Sequence, residues 1–257
     1  MTETGETNGE CVAAITARLT AVRAERGYLL PHHGLLAVAA PDLLAAYAET
    51  YRAMTLRQRT LDDLAKEFIW LAILVATDEA EATHHLAKFA AAGGTAEGIE
   101  AAVRLTAIAR GSAAYRFVDA AWQPHLPAWD GRRSQAQARA DVARAFAVDP
   151  ALVILADAAT RVCLGQWREL GWAIEDAYAA GLPEDTLAEA LMLTMFPAGV
   201  PSFVKAAAVW LDLIRAGTVD ASPRYRAWAE IGGQGGYDEA AGKGSAGHAA
   251  SGRGARP

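Results

Sequence analysis

The chain has 257 residues, 53% of them hydrophobic and 21% charged, with a formal net charge of −6 at pH 7. That composition builds a buried core, and the acidic balance excludes a general nucleic-acid binder, which needs surplus Lys and Arg to neutralise phosphates. The two cysteines, Cys11 and Cys163, stand far apart and outside any Cys-x-x-Cys pair, which excludes a disulfide framework and a cysteine-held zinc site and fits a reducing compartment.

Residues 1–10 are polar and are expected to be disordered; they lack the apolar segment of a signal peptide. Residues 11–27 read as an amphipathic helix stopped by Gly27. Tyr28 to Gly34 reads as a connector, in which His32 and His33 beside a glycine either line a pocket mouth or are plain polar linker. Pro41-Asp42 opens a helix whose stripe is Leu43, Leu44, Tyr47, Tyr51 and Met54. Thr60 is placed to cap the next helix, which is apolar nearly all round from Phe68 to Ala76 and therefore expected to be buried. That apolar run is too short to span a bilayer, so a soluble, cytoplasmic protein with no membrane partner is expected.

Glu67 lies on the stripe of Leu64 and Leu71. A carboxylate there either finds a partner or keeps its proton at neutral pH. The chain then breaks and restarts with Asp78, Glu81 and His85 at i, i+3 and i+7, which places the three on one face of a second helix. Asp78 and Glu81 fit a capping box equally well. Glu81 is one turn from His85 and could orient it. Glu81-x-x-His84 is half of a di-iron carboxylate motif, but no second pair exists in the sequence, and no metal is expected.

Gly93-Gly94 ends that helix and Thr95 opens one running to Gly111; another covers about 112–122 and stops at Pro124. The stretch from His125 to Arg133, with two prolines and a glycine, is taken as a unit boundary. Helical patterns follow over 134–147, 151–180, 183–196 and 201–216, with Asp149-Pro150 as a restart. No segment alternates with period two, so the expected fold class is all-α. The expected organisation is a first unit over 11–125, a second over 134–217, and a flexible Gly/Ala-rich tail over 226–257.

Shifting the chain against itself pairs Trp122 with Trp210 (210 − 122 = 88), Gly93 with Gly181, Gly111 with Gly199, and Glu81 with Glu169. The same shift sets His85 against Ala173, Glu67 against Leu155 and Asp78 against Gln166. The second unit reads as a degenerate repeat that has lost the polar residues.

In order and spacing these motifs resemble the carboxymuconolactone decarboxylase / alkylhydroperoxidase D-like family. Glu67-Phe68 stands where the family carries Glu-Leu, while Asp78, Glu81 and His85 stand at its Cys, Cys and His positions. Gly93-Gly94-Thr95 resembles its Gly-Ala-Thr turn, and Gly199-Val200-Pro201 its Gly-x-Pro turn, altered to Gly111-Ser112-Ala113 in the first unit. The resemblance covers roughly 40–215. It implies tandem helical units, a homo-oligomer (a dimer or trimer of tandem chains), no cofactor, and acid–base chemistry on a small organic acid, lactone or ketone. Thiol peroxidase chemistry lacks its cysteines. Decarboxylation with Glu67 and His85 as the catalytic pair, and Asp78, Glu81, His84 and His33 as pocket or orienting residues, is the expected function. A proton-transfer isomerase or cyclase, or a non-catalytic binding or scaffold protein, are the alternatives.

Overall fold

The computed structural model describes residues 3–242 in backbone and 11–242 in side chains. Among the described residues there are helices and turns and no strand, as the absence of period-two alternation implies. In chain order the helices are α1 (Glu3–Arg26), α2 (Pro31–Ala39), α3 (Pro41–Tyr51), which continues as a wide π turn over Arg52–Leu56, α4 (Asp63–Thr77) and α5 (His84–Ala91). They continue with α6 (Ala96–Arg110), α7 (Ser112–Ala121), α8 (Gly131–Ala145), α9 (Pro150–Cys163), α10 (Trp167–Ala179), α11 (Glu184–Met192), α12 (Val200–Arg215), α13 (Pro223–Glu230) and α14 (Tyr237–Ala240). No helix among the described residues is long and apolar enough to cross a membrane.

The centre is α4. Asp62 caps it by accepting from Ala65 N–H at 2.8 Å, and ten of its fifteen residues are buried. A helix apolar on every side must be covered on every side. Here α9 and α6 flank it most extensively, with α5 also packed against it. Phe68, Ile69, Trp70 and Ile73 join Leu105, Val162, Leu170 and Trp210 in one contiguous core that runs from Leu61 to Ala229. The stretch 125–133 therefore does not divide the core, and helices before and after it share one interior. Fully burying such a side chain is worth about 1.5–3 kcal/mol, and Ile73→Ala, at a position with no exposure, would cost about 2–5 kcal/mol.

A second, smaller cluster joins Val22, Ala37 and Leu44 across α1, α2 and α3, with Ile15, Leu19 and Leu36 packed on it. Arg18 Nη1 also donates to the Ala37 carbonyl at 3.1 Å. The N-terminal helices thus carry their own core and lie against the main body at the site described below.

Several local expectations need correction. The helix expected to start at residue 11 begins at Glu3. The supposed connector before Gly34 is already helical from Pro31, whose fixed φ suits a first helical position. Thr60 does not cap α4. Its N–H and hydroxyl both donate to Glu189 Oε2 at 2.7 Å, and Leu61 N–H adds a third bond at 2.9 Å. A buried carboxylate from α11 therefore ties down the chain just before α4. The expected tail contains α13, because Tyr225 and Trp228, three apart, make a face that packs on Trp210 at ring distances of 5.1 and 6.1 Å. The rest of the expected tail, from residue 243, lies outside the described residues.

The 88-residue shift seen in the sequence recurs in the helix boundaries. The ends of α5 and α10, and the starts of α6 and α11 and of α7 and α12, are related by it. Gly93 and Gly181, one shift apart, both have positive φ, +91° and +69°.

Candidate active site

The C-terminus of α4 makes the site. Asp78 takes the left-handed conformation, φ 54° and ψ 35°, which Asp tolerates better than most residues. Residues 79–83 then form a turn, and α5 starts only at His84. The reversal lays α5 back along α4 and brings His85 against the side of α4 that carries Glu67 and Trp70. His85 Nδ1 lies 2.6 Å from Glu67 Oε2, with the two side chains only 3% and 8% exposed. The ring N–H donates to the carboxylate. The Trp70 indole stacks on the imidazole at 4.5 Å between centroids and 23° between planes.

With Nδ1 committed, Nε2 is the ring nitrogen free to exchange a proton, and His85 lines a cavity of about 560 Å³. Its wall is largely aromatic, with Tyr28, His32, Tyr47, Tyr51, Trp70 and Phe196 beside Arg26 and His84, and it also carries the carboxylates of Glu79 and Glu81. Arg26 stacks its guanidinium 3.8 Å over the Tyr51 ring and 5.0 Å from Tyr47. It forms no ion pair with a carboxylate among the described residues. Burial, and then the neighbouring Tyr28 hydroxyl, push the Tyr51 phenol above its ordinary range. The Tyr28 hydroxyl also lies 3.2 Å from His84 Nε2. Burial, with the charges of His85, Lys88 and Arg26 beside it, brings the His84 imidazole down to about 4, so it is neutral at pH 7.

The expected site residues separate into two groups. Glu67 and His85 meet, and His84 and Glu81 share the cavity with His85. Glu81 does not orient His85, since no hydrogen bond joins them; its N–H donates to Glu79 Oε1 at 3.0 Å, and its side chain stands at the exposed rim. Asp78 is not on a helix face with His85, nor is it an N-cap. It ends α4, pairs with Arg110 at 2.8 Å and is 81% exposed. The i, i+3, i+7 reading failed because a left-handed residue interrupts the helix that this spacing assumes. His33 is fully buried but does not line the cavity. Its Nδ1 accepts from Leu30 N–H at 3.0 Å, and Arg26 Nη1 lies 3.1 Å from its Nε2. It therefore stands behind Arg26. Burial and the charges of His32 and Arg26 bring its ring down to about 4. His32 is the one that faces the cavity.

Arg26 and Tyr28 carry no local mark in the sequence; Arg26 ends α1 and Tyr28 lies in the turn that follows it. Tyr47 and Tyr51, at i and i+4, are legible in the sequence as one helix face, and the structure turns that face to the cavity. Phe196, which meets Tyr47 at 5.1 Å, arrives from the far end of the chain.

Among the described residues, the positions one 88-residue shift further on hold no such pair. At the 88-residue shift, Glu67 and His85 are replaced by Leu155 and Ala173, both buried apolar residues. The positions matching Tyr47, Tyr51, Ile69 and Ile73 hold Gln135, Arg139, Asp157 and Arg161, which form a dry polar network. Asp157 Oδ1 accepts from Arg161 Nε at 2.9 Å and its Oδ2 lies 2.9 Å from Arg139 Nη1. Arg161 also reaches Gln166 Oε1 at 2.6 Å and the Ser112 hydroxyl. No group of three or more potential metal ligands exists among the described residues, and burial pushes the Cys163 thiol up to about 12, leaving it a small hydrophobe.

Residues 41–124 match the sequence model described as the Carboxymuconolactone decarboxylase family. No curated protein and no solved structure matches the chain. The matched segment begins at the first residue of α3 and ends just after α7, so it contains Glu67, Trp70 and His85 and leaves out Arg26, Tyr28, His32 and Phe196. Over that segment, about a third of its length, the chain is similar to the carboxymuconolactone decarboxylase family.

Proposed function

We propose that this chain is a cofactor-independent lyase that decarboxylates a small conjugated organic acid, with His85 as the proton donor and Glu67 as its positioning partner. The single observation that carries the reading is the buried 2.6 Å contact between Glu67 and His85 at the wall of a cavity of about 560 Å³. A carboxylate on Nδ1 fixes the tautomer, holds the ring still and offsets the positive charge the ring gains on protonation. Nε2 then faces the substrate.

In the reaction, the bond between the substrate carbon and its carboxylate breaks and CO₂ leaves. The electron pair enters a conjugated carbonyl, giving an enolate. His85 Nε2–H delivers a proton to carbon, the enolate collapses back to the carbonyl, and the ring regains its proton from water. Arg26, free of any carboxylate partner, supplies positive charge for the anionic end of the substrate, and the tyrosines and Trp70 exclude water from a planar ring. An acid–base group in such a role contributes about 10²–10⁴-fold; positioning of the substrate against the cavity wall supplies the remainder. The second helical unit, in this reading, is a degenerate copy kept for the core it shares.

The same pair could move a proton next to a carbonyl without loss of CO₂, as an isomerase or cyclase does. A panel of conjugated keto acids and carboxylated lactones, followed both for CO₂ release and for solvent-deuterium exchange, separates the two. Exchange without CO₂ replaces the lyase by the isomerase. If neither signal appears with the native protein or differs between it and His85→Gln, the chain is a binding or scaffold protein.

A further inference from the structure

Glu67 has a second face. Behind it, on the side away from the aromatic cavity, the end of the π turn, the start of α4 and the end of α5 border a separate open pocket of about 320 Å³, whose lining includes Thr55, Asp63, Lys66, Glu67 and Lys88. Lys66 is 3% exposed, unusual for a lysine, and its ammonium makes one long contact, 3.5 Å to the Arg57 carbonyl. Neither Lys66 nor Lys88 forms an ion pair among the described residues. The Thr55 hydroxyl, on a residue only 4% exposed, has no hydrogen-bond partner. Buried polar groups are ordinarily satisfied, and each exception calls for a cause.

From these groups we infer a small-oxyanion binding site at the back of the Glu67–His85 pair, taking a ligand of the carboxylate or phosphate class. The free donors set the ligand. The Lys66 and Lys88 ammonium groups have no ion-pair partner among the described residues, and Glu67 Oε2 is turned to His85. The Thr55 hydroxyl supplies a directed donor for an anion oxygen, and each charge-assisted bond replaces an orphaned contact. The site lies apart from Arg26, which faces the other cavity, and it does not depend on the reaction proposed above. A ligand here would sit one carboxylate away from the reacting imidazole.

The test uses the full chain, with inorganic phosphate and acetate as the probes and sodium chloride as the ionic-strength control. Calorimetry should show saturable uptake of at least one probe, with a Kd of about 1 mM or tighter. Amide NMR shifts should concentrate at 55–56, 63–67 and 88–92. Preference for acetate would assign the site to carboxylates, and preference for phosphate to phosphates. Lys88→Ala and Thr55→Val should each weaken binding by about tenfold or more, whereas Arg26→Gln should leave it within about twofold. Lys66→Met should lose it altogether, but that lysine is buried, so the partly exposed Lys88 gives the decisive variant. No saturable uptake of either anion, native affinity in Lys88→Ala, or shifts that map to Arg26 and vanish in Arg26→Gln would each overturn the inference.

Discussion

His85 Nδ1 and Glu67 Oε2 approach to 2.6 Å across eighteen residues of sequence, on two helices joined by a left-handed aspartate. Both groups are out of water, so neither can be removed without leaving the other short of a partner. If the pair handles protons, Glu67→Gln, which keeps the shape and a hydrogen-bond acceptor but removes the charge, should lower kcat by about 10²–10⁴-fold with little change in KM. His85→Gln should fall at least as far. The double variant should be no worse than the poorer single one, because residues acting as a unit are not additive. Steady-state kinetics on whichever substrate turns over, with circular dichroism to establish folding, decides this.

Arg26 and Tyr28 reach the cavity from outside the segment that matches the family, so they bear on which molecule enters rather than on how it reacts. Arg26→Gln should raise KM by about 10–100-fold, the value of one charge-assisted hydrogen bond, while kcat stays within about threefold. A fall in kcat alone would move Arg26 from binding into the chemical step.

Acid should loosen the protein through its histidines. His33 and His84 both titrate near 4 in the folded chain, chiefly because burial disfavours the charged ring, against an ordinary value of 6.5. The unfolded chain therefore binds more protons than the folded one between pH 6.5 and 4. The stability these rings contribute is complete above 6.5 and is lost as the pH falls toward 4. For the fully buried His33 the slope should approach about 1 kcal/mol per pH unit. His33→Asn should flatten that part of the curve in urea titrations run at a series of pH values. An unchanged slope would show that His33 opens to water before the fold is lost.

The network in the second unit makes a prediction about stability alone. Asp157 and Arg161 have no exposure and Arg139 has 5%. Asp157→Ala would leave the Arg161 guanidinium buried without a carboxylate and Arg139 with Asp176 as its one remaining carboxylate, at a cost of about 3–5 kcal/mol. Thermal melts should show a drop of roughly 10 °C. Replacing Asp157, Arg139 and Arg161 together by Leu and Met should recover most of the loss, since a well-packed apolar set of similar volume avoids burying charge at all. Failure to recover would mean that the network is needed to specify the packing of α8 on α9.

Composition and periodicity settled much of this in advance. The absence of alternation excluded strands, and the all-round apolar face of 68–76 predicted that α4 lies at the centre. The Gly93-Gly94-Thr95 turn, the Asp149-Pro150 start and the boundaries repeated after 88 residues follow from local chemistry, in which each residue needs only its neighbours to state its preference. Glu67 and His85 were legible as chemistry for the same reason, one as a carboxylate on an apolar stripe and the other as an imidazole one helix later. That the two meet was expected, but the way the chain brings them together was not legible. It depends on Asp78 adopting a left-handed turn where an unbroken second helix was equally consistent with the spacing.

What only the tertiary structure decided is which distant groups share the space around that pair. Arg26 and Tyr28 from the end of α1 and the turn after it, Phe196 from beyond α11, and Lys66 and Lys88 behind Glu67 carry no local mark, because hydrophobic burial is non-directional and says only that a face is covered. The element that covers it is chosen by packing across the whole chain. A pocket is the space left where that packing stops, so the helices could be read from the sequence while the cavity could not.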